Sequence, residues 1–179
     1  MITIIGPTAC GKTKLAAHLA YNINSEIISA DSRQVYIGMD IGTGKDLKDY
    51  TVNDRNIGYH LIDIVPAGEK YNLYQYNKDF YKSYNLIKEK GISHPILCGG
   101  SGLYIESIIK NYNLPDVPAN ETLRNNLGNM DIQELTNILK SYKKLHNKTD
   151  LDSKQRIIRA IEIEAAILPL EIRVEKLCK

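Results

Sequence analysis

The chain has 179 residues and a net charge of +2, with an ordinary apolar content of 43 %. That is enough for one well-cored domain and a small additional lobe, and no apolar run is long enough to span a membrane. The near-balanced charge means that any polyanion contact must come from a local patch. Met1 leads straight into a β-branched run, with no signal or transit peptide expected, and Cys10, Cys98 and Cys178 lack metal-ligand spacing. They read as reduced thiols of a cytoplasmic protein.

The first predicted elements organise the rest. Ile2 to Ile5 form a strand, and Lys14-Leu-Ala-Ala-His-Leu-Ala opens a helix. Between them stands G-x-x-x-x-G-K-T, filled by Gly6, Pro7, Thr8, Ala9, Cys10, Gly11, Lys12 and Thr13. In that context the loop is a phosphate cradle. Its glycines let successive N–H groups point at an anion, and the helix N-terminus adds its positive end. Lys12 carries charge to a terminal phosphate, and the Thr13 hydroxyl is a ligand for Mg²⁺.

Residues 26–31, EIISAD, read as a second strand ending in Asp31, with Ser32, Arg33 and Gln34 in the loop after it. A carboxylate beside a phosphate cradle can take a proton from a nucleophile or bind Mg²⁺ through water, or it can simply cap a turn. The three residues after it are suited to holding a base edge. Residues 41–45 form a glycine-rich loop in which Lys45 reaches toward phosphates or is merely solvated. Residues 59–65 are the third strand, ended by Pro66; Asp63 there is a weaker Mg²⁺ candidate, and His60 reads as structural. Across 71–90, Leu73, Tyr76, Phe80, Tyr84 and Ile87 recur at helical spacing, and these aromatics read as core rather than a base-stacking surface. Residues 94–98 are the fourth strand, running into GGSGLY, where Ser101 holds phosphate oxygens or sits in an ordinary strand-to-helix turn.

Alternating strands and helices predict an α/β fold, a P-loop parallel sheet with helices on both faces. Ligands of such sheets gather at the strand carboxyl ends, around the 6–13 loop, Asp31 and the loop of Ser101. Beyond residue 113 the chain becomes helical and polar. Residues 121–127, 131–145 and 152–167 read as helices, with Asp131 and Asp152 as N-caps. This divides the chain into a 1–113 core, a 114–167 inserted helical lobe and a 168–179 return to the core as a possible fifth strand. Within the lobe, Gln155-Arg156-Ile157-Ile158-Arg159 and Lys140, Lys143, Lys144, Lys148 and Lys154 make a basic helical region, suited to a nucleic-acid backbone or simply solvated.

GPTACGKT, ISADSRQVY, MDIGTGK, YHLIDI, LCGGSGLYIE and QRIIRAIEIE, in this order, resemble the tRNA dimethylallyltransferase (isopentenyltransferase) family over nearly the whole chain. The resemblance implies a monomer that transfers a dimethylallyl group from dimethylallyl diphosphate to N6 of adenosine 37, in the anticodon stem-loop of tRNA, with Mg²⁺. It implies that residues 6–13 hold the diphosphate, with Mg²⁺ at Thr13, and that Asp31 is the general base. Ser101 stands where the family usually has Thr, and Arg124 matches an arginine near the flipped base and the diphosphate. Asp31 to Gln34 and Gln155 to Arg159, with Ile157 and Ile158 between, match tRNA-contacting segments. Flipping the base out would bring it to such a site, the helical lobe serving as clamp.

The sequence departs from the family at Cys10, usually Ser, and at Asp46, where Pro is frequent. Family members also continue past Lys179, so a chain ending there is expected to be poorly stable and weakly active. Three rivals remain: a P-loop small-molecule or nucleotide kinase using ATP, an isopentenyltransferase acting on free AMP or ADP, and a non-catalytic remnant.

Overall fold

The computed structural model describes residues 1–142 and 151–167. The predicted tail strand, Cys178, and lysines 143, 144 and 148 lie outside them. The chain separates into two compact units, Met1–Asn113 and Leu114–Lys179.

The first unit contains the parallel sheet. Its strands are β1 (Ile2–Ile5), β2 (Ile27–Ala30), β5 (Tyr59–His60) and β6 (Ile96–Gly99), in spatial order β1-β6-β2-β5. Every pairing among them is parallel. Alternation along the strands loads both faces, as a doubly covered sheet requires. Ile27, Ile96 and Cys98 pack with Ala16, Ala17 and Ala20 of helix α1 (Lys12–Ile23). Ile28, Ala30 and Leu97 pack with Tyr76, Phe80 and Ile87 of α2 (Leu73–Glu89), and with Tyr104, Ile105 and Ile108 of α3 (Gly102–Ile109). Tyr76 and Phe80 of α2 are therefore core, with Tyr84 packed against them and Tyr81 exposed; Tyr76 stacks on Tyr104 with centroids 3.9 Å apart. An Asn72–Gln75 capping box fixes the start of α2.

Two features depart from the sequence reading. The third strand stops at His60 instead of running to Val65, because Leu61 and Asp63 adopt positive φ (63° and 55°) and turn the chain out of the ladder. Val65 returns only as an isolated parallel bridge to Tyr36. The stretch before it, unassigned from sequence, is a 3-10 turn (Leu47–Tyr50) and a small hairpin of β3 (Thr51–Val52) and β4 (Arg55–Asn56). Asn53 and Asp54 at the hairpin tip both have positive φ (48° and 58°), the twist that a two-residue hairpin prefers.

The second unit comprises α4 (Glu121–Gly128), α5 (Ile132–Tyr142) and α6 (Lys154–Ile167) around Leu127, Leu135, Leu139, Ile157, Ala160 and Ile161. Asp131 caps α5 as expected, accepting from the Gln133 and Glu134 N–H groups while Glu134 accepts from the Asp131 N–H. At α6 the cap is Ser153, whose Oγ accepts from the Arg156 N–H at 3.4 Å. Asp152, the predicted cap, instead pairs with the Arg156 side chain at 2.8 Å. No helix among the described residues is long and apolar enough to cross a membrane.

Candidate active site

Strand register brings the site together. Ile5 pairs with Gly99 and Gly99 with Ala30, so three strand ends lie level. The loops that follow must start side by side. A Cβ on Gly99 would stand 2.2 Å from the Ala30 carbonyl oxygen, and one on Gly100 3.1 Å from that of Gly6. Glycine at both positions is what lets the backbones approach this closely.

The 6–13 loop then turns through Ala9 (φ 63°) and Gly11 (φ 81°) into α1. No side chain caps that helix, which leaves its first N–H groups directed at the loop mouth. Lys12 extends back across the loop, and its Nζ donates to the Pro7 carbonyl at 2.9 Å. Beneath it, the Cys98 thiol donates to the Lys12 carbonyl at 3.7 Å, and burial pushes that thiol up to about 11, so it stays protonated.

Asp31 follows directly after β2. One carboxylate oxygen accepts from the Arg33 N–H at 2.9 Å, which orients the group. Ser101 is tied to the same corner. Its N–H donates to the Ala30 carbonyl at 3.0 Å, and its Oγ accepts from the Ser32 N–H at 2.8 Å and lies 3.2 Å from the Ser32 hydroxyl. Burial, with the nearby Tyr36 and the Asp31 charge, raises the Tyr104 hydroxyl to about 12.

One cavity of about 230 Å³ is lined by Thr8, Ala9, Gly11, Lys12, Thr13, Asp31, Gln34, Thr43, Gly44 and Asp49. The 6–13 loop after β1 and the acid at the end of β2, two strands across with β6 between, therefore share a single space. Gln34 is buried, and its amide donates to the Gly44 and Thr43 carbonyls (3.0 and 3.4 Å) while its oxygen faces Ser29 Oγ. It anchors the 43–44 edge of the cavity to the sheet, a structural task that the sequence reading did not give it. Lys45 does not reach phosphates. Its Nζ is buried against the Tyr36 carbonyl, Asp40 (2.9 Å) and Asp63 (2.5 Å), which leaves Asp63 occupied as well. Burial alone would lower the Lys45 pKa, but Asp63 and Asp40 outweigh it and hold it raised. His60 contacts Glu26 at 2.7 Å, which also pairs with Lys90, consistent with a structural role.

In the second unit the candidate residues meet Glu162, which sequence reasoning missed. Its side chain is 1 % exposed. Arg124 donates to it twice at 3.0 Å, the Asn120 N–H once at 2.5 Å, and Arg159 also pairs with it. Burial would raise its pKa, but Arg124, the Asn120 N–H and Arg159 hold it down to about 2. Arg159 also donates to the Val117 carbonyl at 2.9 Å. Ile157 is fully buried in the helical core, so its side chain offers no contact surface, contrary to its place in the expected tRNA-contacting segment. Ile158 is half-buried, whereas Gln155 and Arg156 are exposed. A larger cavity of this unit, about 640 Å³, includes Leu123, Leu127, Met130 and Ile138 and no cationic side chain.

Residues 34–171 match the family described as IPP transferase, and residues 1–63 match isopentenyl transferase. The chain belongs to the IPP transferase family. A tRNA dimethylallyltransferase 1 of Porphyromonas gingivalis is 63 % identical over 91 % of this chain and 54 % of its own length. A tRNA dimethylallyltransferase 2 of Bacteroides fragilis is 58 % identical over 97 % of this chain and 57 % of its own. Among solved structures, a eukaryotic dimethylallyltransferase acting on tRNA superposes with a TM-score of 0.75 at 25 % identity, covering 98 % of this chain and 44 % of that one. The chain spans about half the length of the family relatives it matches.

Proposed function

We propose that the chain carries the donor site and general base of a Mg²⁺-dependent transfer of a dimethylallyl group from dimethylallyl diphosphate to N6 of adenosine 37 in the anticodon stem-loop of tRNA. The observation that carries this reading is the single cavity lined by both the 6–13 loop and Asp31. The allylic C–O bond breaks as diphosphate leaves, the N6–C bond forms, and the amine proton passes to Asp31. Lys12 and the loop amides receive the charge that develops on the leaving diphosphate. Asp31, oriented by the Arg33 N–H, accepts from the amine. Ser101 fixes the Ser32 backbone beside it. Thr13, Asp31 and Asp49 give the cavity hard oxygen donors, which suit Mg²⁺. Thr13 would hold the ion, whose charge neutralises the departing diphosphate. Gln155 and Arg156 supply contacts to tRNA from the helical unit, as do Ser32 and Arg33 from the first, while Arg124 is engaged by Glu162.

The test is incubation with dimethylallyl diphosphate, Mg²⁺ and unmodified tRNA, followed by nucleoside mass spectrometry. Isopentenylated adenosine at position 37 is expected. Thermal stabilisation by ATP but not by dimethylallyl diphosphate would overturn the reading in favour of a kinase.

A further inference from the structure

Asp49 lines the phosphate-loop cavity and adds a hard oxygen donor to it, but no bond-making or proton-transfer step uses it. Several acids of the first unit are engaged. Asp40 and Asp63 hold Lys45, Asp46 accepts from the Lys48 N–H, Asp79 accepts from Tyr71, and Asp31 accepts from the Arg33 N–H. No hydrogen bond or ion pair engages the Asp49 carboxylate among the described residues. Its position is nevertheless fixed. It lies in the Leu47–Tyr50 turn, which Asp46 caps at one end. At the other end Tyr50 is 5 % exposed in the core with α1, and its carbonyl accepts from the Ile57 N–H at 2.8 Å.

Charge decides what such a group can do. The lining supplies one cation, Lys12, and two carboxylates, Asp31 and Asp49. A carboxylate facing an incoming polyanion opposes its binding unless a cation stands between them. Asp31 has its own work on the amine, which leaves the Asp49 oxygens for the cation. Mg²⁺ in phosphate sites is held in this manner, by one or two carboxylates with phosphate oxygens and water. Resting on the diphosphate reading above, we infer that Asp49 is a ligand, directly or through a bound water, of the divalent cation that accompanies diphosphate into this cavity. The turn and hairpin of residues 47–56 thereby become a functional wall of the donor site.

The experiment measures Mn²⁺ binding by electron paramagnetic resonance with inorganic diphosphate as the anion, for the chain and for D49N and D49S at matched thermal melting. Both variants are expected to weaken Mn²⁺ binding about 10- to 100-fold, the range found when partners of a metal's coordination sphere are lost. Diphosphate binding in the presence of a chelator should stay equal or tighten, since a negative charge has gone. A merely structural Asp49 would weaken both, and that result overturns the inference. So does Mn²⁺ binding by D49N within about twofold of the parent. Absence of any Mn²⁺–diphosphate binding by the parent chain would overturn the diphosphate reading itself and this inference with it.

Discussion

In the first unit the polar groups at the strand ends are placed by backbone register and left facing a cavity, whereas in the second the arginines are drawn onto one buried carboxylate. Asp31, Ser101 and the 6–13 loop owe their proximity to the alignment of Ile5, Gly99 and Ala30, and among the described residues neither Asp31 nor Lys12 is held by an opposite charge. Arg124 and Arg159 are tied to Glu162 and hold together the segment before α4, α4 itself and α6. A basic residue on a polar helix thus has two physical fates, and a buried acid within reach decides which it meets. Replacing such an acid strands the cations that it neutralises.

The comparison breaks most sharply at Asp31. D31N should lower tRNA prenylation about 100- to 10,000-fold while leaving inorganic diphosphate binding and thermal melting unchanged; nucleoside mass spectrometry and calorimetry read the two. A parallel loss of stability would mean that Asp31 is a structural cap.

E162A is the converse, a stability variant. Because both guanidiniums are more than a third exposed and can rehydrate, the expected loss is about 2–3 kcal/mol of unfolding free energy in urea. The same acid sets an acid limb. Its folded pKa of about 2 lies below the ordinary 4.5, so the unfolded chain takes up the proton first. The contribution of Glu162 is therefore complete above about pH 5 and is lost as the pH falls toward 2. E162Q should flatten that limb; an unchanged limb would show that the ion pairs do not form in solution.

K45M sharpens the first unit's side of the comparison. Asp40 and Asp63 are accessible enough to rehydrate, so the cost should be about 1–2 kcal/mol in stability, with weakened diphosphate binding because residues 43–44 are no longer anchored. Loss of diphosphate binding without loss of stability would return Lys45 to the role of a phosphate ligand. The smallest effect is expected for C10S. Cys10 is exposed, and on the proposed reading the anion is bound by backbone amides, so stability should stay within about 0.5 kcal/mol and diphosphate affinity should hold.

Much of the first unit was legible because its signals are local. A β-branched run, a glycine loop with Lys and Thr, and an apolar stripe over Tyr76, Phe80 and Ile87 each follow from neighbours in sequence. Three residues were misread or missed for the opposite reason. Lys45 is indistinguishable from a surface lysine until Asp63, eighteen positions away, folds against it. Asp49 sits in a stretch without periodicity. Glu162 lies three positions after Arg159 and four after Ile158, at the edge of an apolar stripe, where an acid usually faces solvent. Only that spacing hinted at its burial.

Sequence by itself determined the glycine loop between the first strand and helix, the parallel sheet with helices on both faces, and the strand-end acid, because each rests on residue type at fixed short spacing. Tertiary structure decided which charges are available for chemistry. Whether an Asp, Lys or Arg faces a cavity or a counter-ion depends on partners brought close by long-range packing, and a side chain's free energy in the two settings differs by more than its local sequence can encode.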